Sequence, residues 1–348
     1  MATRIVVHAS SSELLDTIER QPNADSVRTN HALGFVFARS LLPATSREPA
    51  RTSNADKQDE YAEVLVTAWR GDTLALVFTK LGSAKCKLVS PLHPSSLSSV
   101  GLPLVPPLAA QLLDLAPFSA RGGPALLRSL CGPDILVDAF LALWPHQRRP
   151  STSRTFIAAS VKCAPPPAVM PAGHSLSRAR DVEELSIADL EAVARLLDAL
   201  EAEGAGPAAA ASTPEPAREP KPLPAPDALL ASTRTALCRG PTWLYRAHGT
   251  PVGLVEVGRP TRRTCALRKV VVAASHRGQG VAQRMVGEVM RACLPAGVDG
   301  GGRKDEVCLS VDPGNEPARR TYARVGFDEL EGLWSEVDLE GIEPGHRG

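Results

Sequence analysis

Apolar side chains recur at Leu190, Val193, Leu196, Leu197 and Leu200, the spacing of one helix face, and predict an amphipathic helix after a short strand that begins near residue 174. A second helix is expected near Asp227 to Arg239. The period then drops to two. Strands near Thr242 to Ala247 and Pro251 to Val257 flank the turn His248-Gly249-Thr250 as a hairpin, and a longer strand ends at Val272. Val281, Met285, Val286, Val289 and Met290 fall on one face of a further helix. Val307, Leu309 and Val311 alternate as a half-buried strand, which Pro313-Gly314-Asn315 breaks. A short helix follows, with Pro317 in its first turn and Gly326 at its C-cap. Upstream, Leu14 to Ile18, Leu33 to Leu42, Tyr61 to Trp69 and Leu74 to Leu81 predict helices and strands in alternation. Gly132-Pro133 introduces a helix over DILVDAFLALW, and loops are expected at 43–58 and 89–107.

Two proline-rich stretches punctuate this pattern. Residues 164–173 (APPPAVMPAG) forbid regular structure, and 203–226 are rich in proline and alanine with hardly a bulky apolar side chain, the composition of a disordered insertion. A chain of 348 residues exceeds the size at which a single core stops growing. The expected division is an N-terminal α/β domain over 1–172 and a second domain over 173–345 that contains the insertion.

The chemistry concentrates where the strand Leu267–Val272 leads through AASH into Arg277-Gly278-Gln279-Gly280-Val281-Ala282 and a helix. The first N–H groups of such a helix lack partners and point outward, which makes an anion cradle suited to phosphate. The spacing is neither the dinucleotide fingerprint nor a P-loop. Arg277-x-x-Gly280-x-Ala282 resembles motif A of the GCN5-related N-acetyltransferases, the GNAT superfamily. The segment EVCLSVDPGNEPARRTYARVGF from Glu306, with Asn315, Ala318, Tyr322 and Gly326-Phe327 in order, resembles that family's motif B. The likeness covers about 174–340. It implies an α/β (α+β) GNAT fold, a mixed and mostly antiparallel central sheet flanked by helices. The layout of the whole chain resembles fungal and animal GNAT proteins of the glycine N-acyltransferase-like type. In those a degenerate half precedes an active one, so the N-terminal domain is either such a half or an unrelated α/β domain.

The resemblance implies acetyl-CoA as co-substrate and no metal. Val270, Val271 and Val272 would splay from the neighbouring strand and pair with the pantetheine arm, an N–H near Val272 donating to the thioester oxygen. Arg277, Gly278, Gln279, Gly280, Val281 and Ala282 would take the pyrophosphate, with Asn315 and Tyr322 facing the cleft and Tyr322 as acid for the departing thiolate. Blander roles stand beside these: Asn315 as an N-cap, Tyr322 as a core tyrosine, Arg277 as a surface charge. The family often uses a glutamate as base, but here Ser310 stands where a carboxylate is expected, leaving Glu256, Asp312 and Glu306 as candidates. The implied activity is N-acetyl transfer to a primary amine; the alternative is a non-catalytic acyl-CoA-binding or sensing protein.

The net charge of +1 offers no basic stripe for nucleic acid, although Arg319 or Arg320 is placed to meet the 3′-phosphate of CoA. Seven cysteines without a CxxC pair point to neither a disulfide framework nor a zinc site. The sequence shows no signal h-region and no evident apolar stretch of membrane-spanning length, so the expected setting is cytoplasmic, with the nucleus left open.

Overall fold

The structure, a computed structural model, describes residues 2–41, 62–82, 84–120, 123–145, 150–179, 185–204, 226–238, 240–294 and 304–339. The chain lays down one order of elements twice. The first pass is β1 (Thr3–Val7), α1 (Ser11–Glu19), α2 (Val27–Ser40), β2 (Glu63–Arg70), β3 (Thr73–Leu81), β4 (Cys86–Val89), α3 (Pro94–Leu113), β5 (Ser129–Pro133), α4 (Asp134–Leu143) and β6 (Pro150–Val161). The second is β7 (His174–Ala179), α5 (Ile187–Gly204), α6 (Pro226–Cys238), β8 (Thr242–Ala247), β9 (Thr250–Gly258), β10 (Thr264–Val272), α7 (Val281–Cys293), β11 (Glu306–Val311) and α8 (Glu316–Arg324). It closes with the brief β12 (Asp328–Glu329) and with β13 (Trp334–Leu339).

All strands join one twisted path, β1-β2-β3-β4-β5-β13-β6-β11-β10-β9-β8-β7, with β12 beside β6. Among the described residues only β4–β5 and β10–β11 pair in parallel, so the sheet is mixed and mostly antiparallel as expected. The middle of the order carries the main departure from the sequence reading. β6 belongs to the first pass but pairs with β11, whereas β13, the last strand of the chain, lies between β5 and β6. A boundary at 172/173 therefore cuts across strand pairing, because each half lends its final strand to the other. Pairing partners so distant in sequence leave no local signal.

Helices cover both faces, which is why β2, β3 and β9 are buried along nearly their whole length instead of alternating. α3 and α4 pack on the first half through Leu104, Leu108, Leu112, Leu136 and Phe140. α7 covers β9 to β11 with Met285, Val286, Val289 and Met290, the stripe read from the sequence. α5 and α6 lie over β8 to β10. α2 does more than its place in the chain suggests: Leu33 and Val36 share a core with Ala266, Cys308, Phe156 and Trp334, so it spans the seam between the halves.

Two further expectations change. The predicted loop at 89–107 is largely helix, because its prolines fall in the opening turns of successive helical segments, where no N–H is missed. The same run, Pro94–Leu113, is long and apolar enough to cross a membrane by length and composition, contrary to the sequence reading; here its leucines are packed on the sheet. Of the proposed insertion at 203–226, Glu203 and Gly204 end α5 and Pro226 begins α6, and the rest lies outside the described residues.

Two partly buried ion pairs reinforce the strand exchange. Lys85, just before β4, donates from Nζ to Glu336 at 2.8 Å and Asp338 at 2.7 Å on β13. Burial opposes its charge, yet the hydrogen bonds to Asp338 and Glu336 prevail and raise its pKa above the usual lysine value. Trp334, 4% exposed, stacks on Phe156 at 5.8 Å between centroids. Trp334→Ala is expected to cost about 3–5 kcal/mol, since it leaves a ring-sized cavity in the seam. Because strands cross both ways, calorimetry should show the two halves melting in one transition at a lower temperature, whereas two resolved transitions would mean the halves fold separately.

Candidate functional site

β10 and β11 run side by side from Thr264↔Glu306 to Leu267↔Leu309 and then part. A register shift between Leu267 and Lys269 turns β10 away, and from there to Val272 it pairs with β9 alone. Ala273 donates its N–H to Val252 on β9 at 2.9 Å, so by strand alternation the N–H groups of Val270 and Val272 point toward the gap. The splay anticipated for residues 270–272 is thus present, produced by one bulged residue.

Below the splay is a cleft of about 390 Å³. Val270, Val271, Val272, Arg277, Gly278, Gly280, Val281, Ala282, Asn315 and Tyr322 all line it, drawn from β10, the turn, α7 and α8. Gln279 does not; its amide turns back to donate to Ser275 O at 3.0 Å. Gly278 and Gly280 have φ of +74° and +73°, conformations that favour glycine. Gly280 is the N-cap of α7, and no side chain caps that helix, so its first N–H groups and the positive end of its dipole face the cleft. Arg277 donates from Nε to Val272 O at 3.1 Å, which pins the turn to the strand end.

Asn315 lines the cleft as an N-cap: its Oδ1 accepts from Ala318 N at 3.2 Å. The Tyr322 ring packs edge-on against Phe327, centroids 5.9 Å apart, and burial pushes its hydroxyl pKa up to about 12. The packing role and the cleft-facing role therefore coexist. The lining also includes His276, Gln283, Thr321 and Arg324, which are not among the residues expected from the motifs. His276 and Gln283 flank the glycine turn, and Thr321 and Arg324 neighbour Tyr322 on α8, so adjacency was the available signal.

Three carboxylates and one cation have other work. Glu306 accepts from Val27 N at 2.8 Å and caps α2. Asp312 accepts from Gly314 N at 2.8 Å and shapes the turn. Glu256, 2% exposed, lies 2.8 Å from Lys269 Nζ and 3.4 Å from Arg268 Nη1, without an open face for an amine. Arg319 is held by Glu329 through Nε at 2.7 Å and Nη2 at 2.9 Å, and by Glu316, so Arg324 is the α8 cation that reaches the cleft.

The first half shows why there is one such cleft among the described residues and not two. At the corresponding place β4 and β5 stay in contact: a Cβ on Gly132 would come within 2.0 Å of Leu88 O. The turn before α3 is His93-Pro94, where the His93 ring accepts from Ser95 N at 3.3 Å and occupies the helix start.

Residues 209–327 match the family model described as the acetyltransferase (GNAT) family. The matched stretch lies in the second half of the chain and contains the glycine turn, Asn315 and Tyr322. No curated protein sequence matches the chain. Among solved structures, a Drosophila protein aligns over 99% of this chain and 99% of its own at 11% identity, with a TM-score of 0.55. A tandem GNAT protein from the clavulanic acid biosynthesis pathway aligns over 98% of this chain and 100% of its own (13% identity, TM-score 0.47). A GCN5-related N-acetyltransferase from Sphaerobacter thermophilus aligns over 98% and 97% (17% identity, TM-score 0.48). The Drosophila likeness bears on fold alone. It spans both halves, in keeping with the doubled order of elements.

Gly280→Glu puts a carboxylate at the start of α7 and strains a left-handed position at a cost of about 1–2 kcal/mol. The expected outcome is a modestly lower melting temperature with no acetyl-CoA binding by calorimetric titration. Wild-type affinity in a folded variant would remove this turn from the cofactor site.

Proposed function

We propose that the protein is an acyl-CoA-dependent N-acyltransferase that moves acetyl from acetyl-CoA directly to a primary amine. The observation that carries this reading is the open splay of β10 from β11 directly above a glycine turn at an uncapped helix start, with Tyr322 in the same cleft. A thioester with a long pantetheine arm and a pyrophosphate matches that sequence of features. The N–H groups facing the gap at Val270 and Val272 bind an extended arm as an added strand would. The Val272 N–H donates to the thioester oxygen and stabilises charge that develops there. Gly278 and Gly280 let the backbone close around phosphate, and the first amides of α7 bind it with help from the helix dipole.

Tyr322 supplies the proton for the departing thiolate. A hydroxyl with pKa near 12 remains protonated across the neutral range. It is a weaker acid than a solvated tyrosine, but a thiolate leaving into the same enclosed space is destabilised for the same reason, so the two groups shift together. Aligning the proton with the sulfur is then the main contribution of the side chain.

Tyr322→Phe keeps the ring on Phe327 and removes the hydroxyl. Turnover of acetyl-CoA with an accepted amine should fall roughly 10²–10³-fold, while acetyl-CoA affinity changes by less than about tenfold. Because the hydroxyl titrates near 12, the wild-type rate should show no loss of this acid below about pH 11. Wild-type turnover in the Phe variant, with chemistry rate-limiting, would return Tyr322 to a packing role. A folded protein that binds acetyl-CoA but releases no thiol with any amine would instead support the non-catalytic acyl-CoA-binding reading.

A further inference from the structure

The donor cleft opens on the α7 and α8 face of the sheet. On the opposite face α2, a helix of the other half, packs across β10 and β11 just before they part, and it is fastened there. Glu306 caps its start, and Asn30 Nδ2 donates to Arg259 O at 2.9 Å and to Thr264 Oγ1 at 2.8 Å. Gly34 allows an approach that a Cβ would forbid, since it would lie 2.5 Å from the Arg259 Cβ. These contacts hold His31 against the Phe156–Trp334 pair, with ring centroids 5.0 and 5.1 Å away, and set its Nε2 2.8 Å from Ser310 Oγ. Ser310 is the residue after Leu309, where β11 loses β10, and it is exposed. A hydroxyl paired with an imidazole therefore stands at the point where the strands open, in the position at which the carboxylate is missing.

Resting on the N-acyltransferase reading, we propose that the acceptor amine reaches the splay from the α2 face and that His31, acting through the Ser310 hydroxyl, receives its proton. As nitrogen bonds to the thioester carbon and the C–S bond breaks, the N–H proton passes to Ser310 Oγ while the Ser310 proton passes to His31 Nε2. The sulfur takes the Tyr322 proton. His31 then loses its proton to water, and Tyr322 regains one.

The charges around His31 suit this task. Burial, then Arg259 beyond β9, Lys87 on β4 and Arg268 on β10, hold its pKa well below the usual histidine value, so the ring is neutral and able to accept at pH 7. The nearby carboxylates are engaged: Glu336 on β13 with Lys85 and beside Arg154 on β6, and Glu256 on β9 with Lys269 and Arg268. The same cations favour prompt release of the proton once taken. Rate should therefore hold as pH falls through 6.5 and decline only below it.

The test uses the full chain with acetyl-CoA and a panel of amino acids, polyamines and arylamines, following thiol release. Wild type must first turn over an amine; acetyl-CoA binding without turnover of any amine would overturn the underlying reading and this proposal with it. With an accepted amine, His31→Gln should lower kcat roughly 10²–10⁴-fold, abolish the acid limb and leave the acetyl-CoA Kd within about threefold. His31→Ala should regain activity in millimolar imidazole, a rescue that a purely structural histidine would not show. Ser310→Ala, a change at an exposed position, reads the same relay if the histidine variants fail to fold, and should lower kcat at least tenfold. Turnover within threefold of wild type in folded Ser310→Ala or His31→Gln overturns the proposal. So does an acetyl adduct on Ser310 by mass spectrometry, which would make the serine a nucleophile instead.

Discussion

The exchange of final strands between the two halves governs much else in this molecule. β6 and β13 lie side by side at the centre of the sheet, each hydrogen-bonded to the half from which it did not come. Backbone pairing of this kind cannot be given up on one side alone, because an unpaired buried ladder leaves donors and acceptors unsatisfied. The pairing also carries Phe156 and Trp334 into one core with α2, Ala266 and Cys308. The seam is consequently an interior and not a surface contact between modules.

The doubled order of elements makes the differences between halves informative. In the second half a bulge after Leu267 separates β10 from β11, and a glycine turn leaves the next helix start open. In the first, Gly132 lets β5 press against Leu88, and His93 caps the helix that follows. One parallel pair is open and its counterpart is closed. A half that has no slot of its own still contributes, since its α2 packs on the far face of β10 and β11 and brings His31 to Ser310 where they part.

Electrostatics follow from the same arrangement. Packing α2 against β4, β10 and β11 concentrates Lys87, Arg259 and Arg268 around one imidazole. Arg259 is left-handed, at φ +46°, and its buried Nε has no hydrogen-bond partner. Strain and an unsatisfied donor at one residue are costs that packing elsewhere must offset. The donor cleft has the opposite character. Its lining is backbone, small side chains and a helix start, a surface that binds phosphate through fixed dipoles.

Local patterns in the sequence already determined most of the second half. The helix stripe from Val281 to Met290, the strand alternation at Val307, Leu309 and Val311, and the turn at Gly278 and Gly280 depend on side-chain spacing and on glycine's access to positive φ, both of which are written into a few neighbouring residues. Ten of the eleven candidate residues line one cleft for the same reason: they sit on consecutive elements whose order fixes their proximity. Gln279 escaped because side-chain direction within a turn is set by hydrogen bonds that spacing does not reveal. The prolines of α3 misled because proline is tolerated in an opening turn, and which turn opens a segment depends on what the helix packs against. Strand exchange, the capping of α2 by Glu306, and the meeting of His31 with Ser310 were decided only in three dimensions. They join residues more than a hundred and forty positions apart, and contacts at such separations are selected by how buried surfaces and hydrogen-bond partners fit across the whole sheet, which no local periodicity encodes.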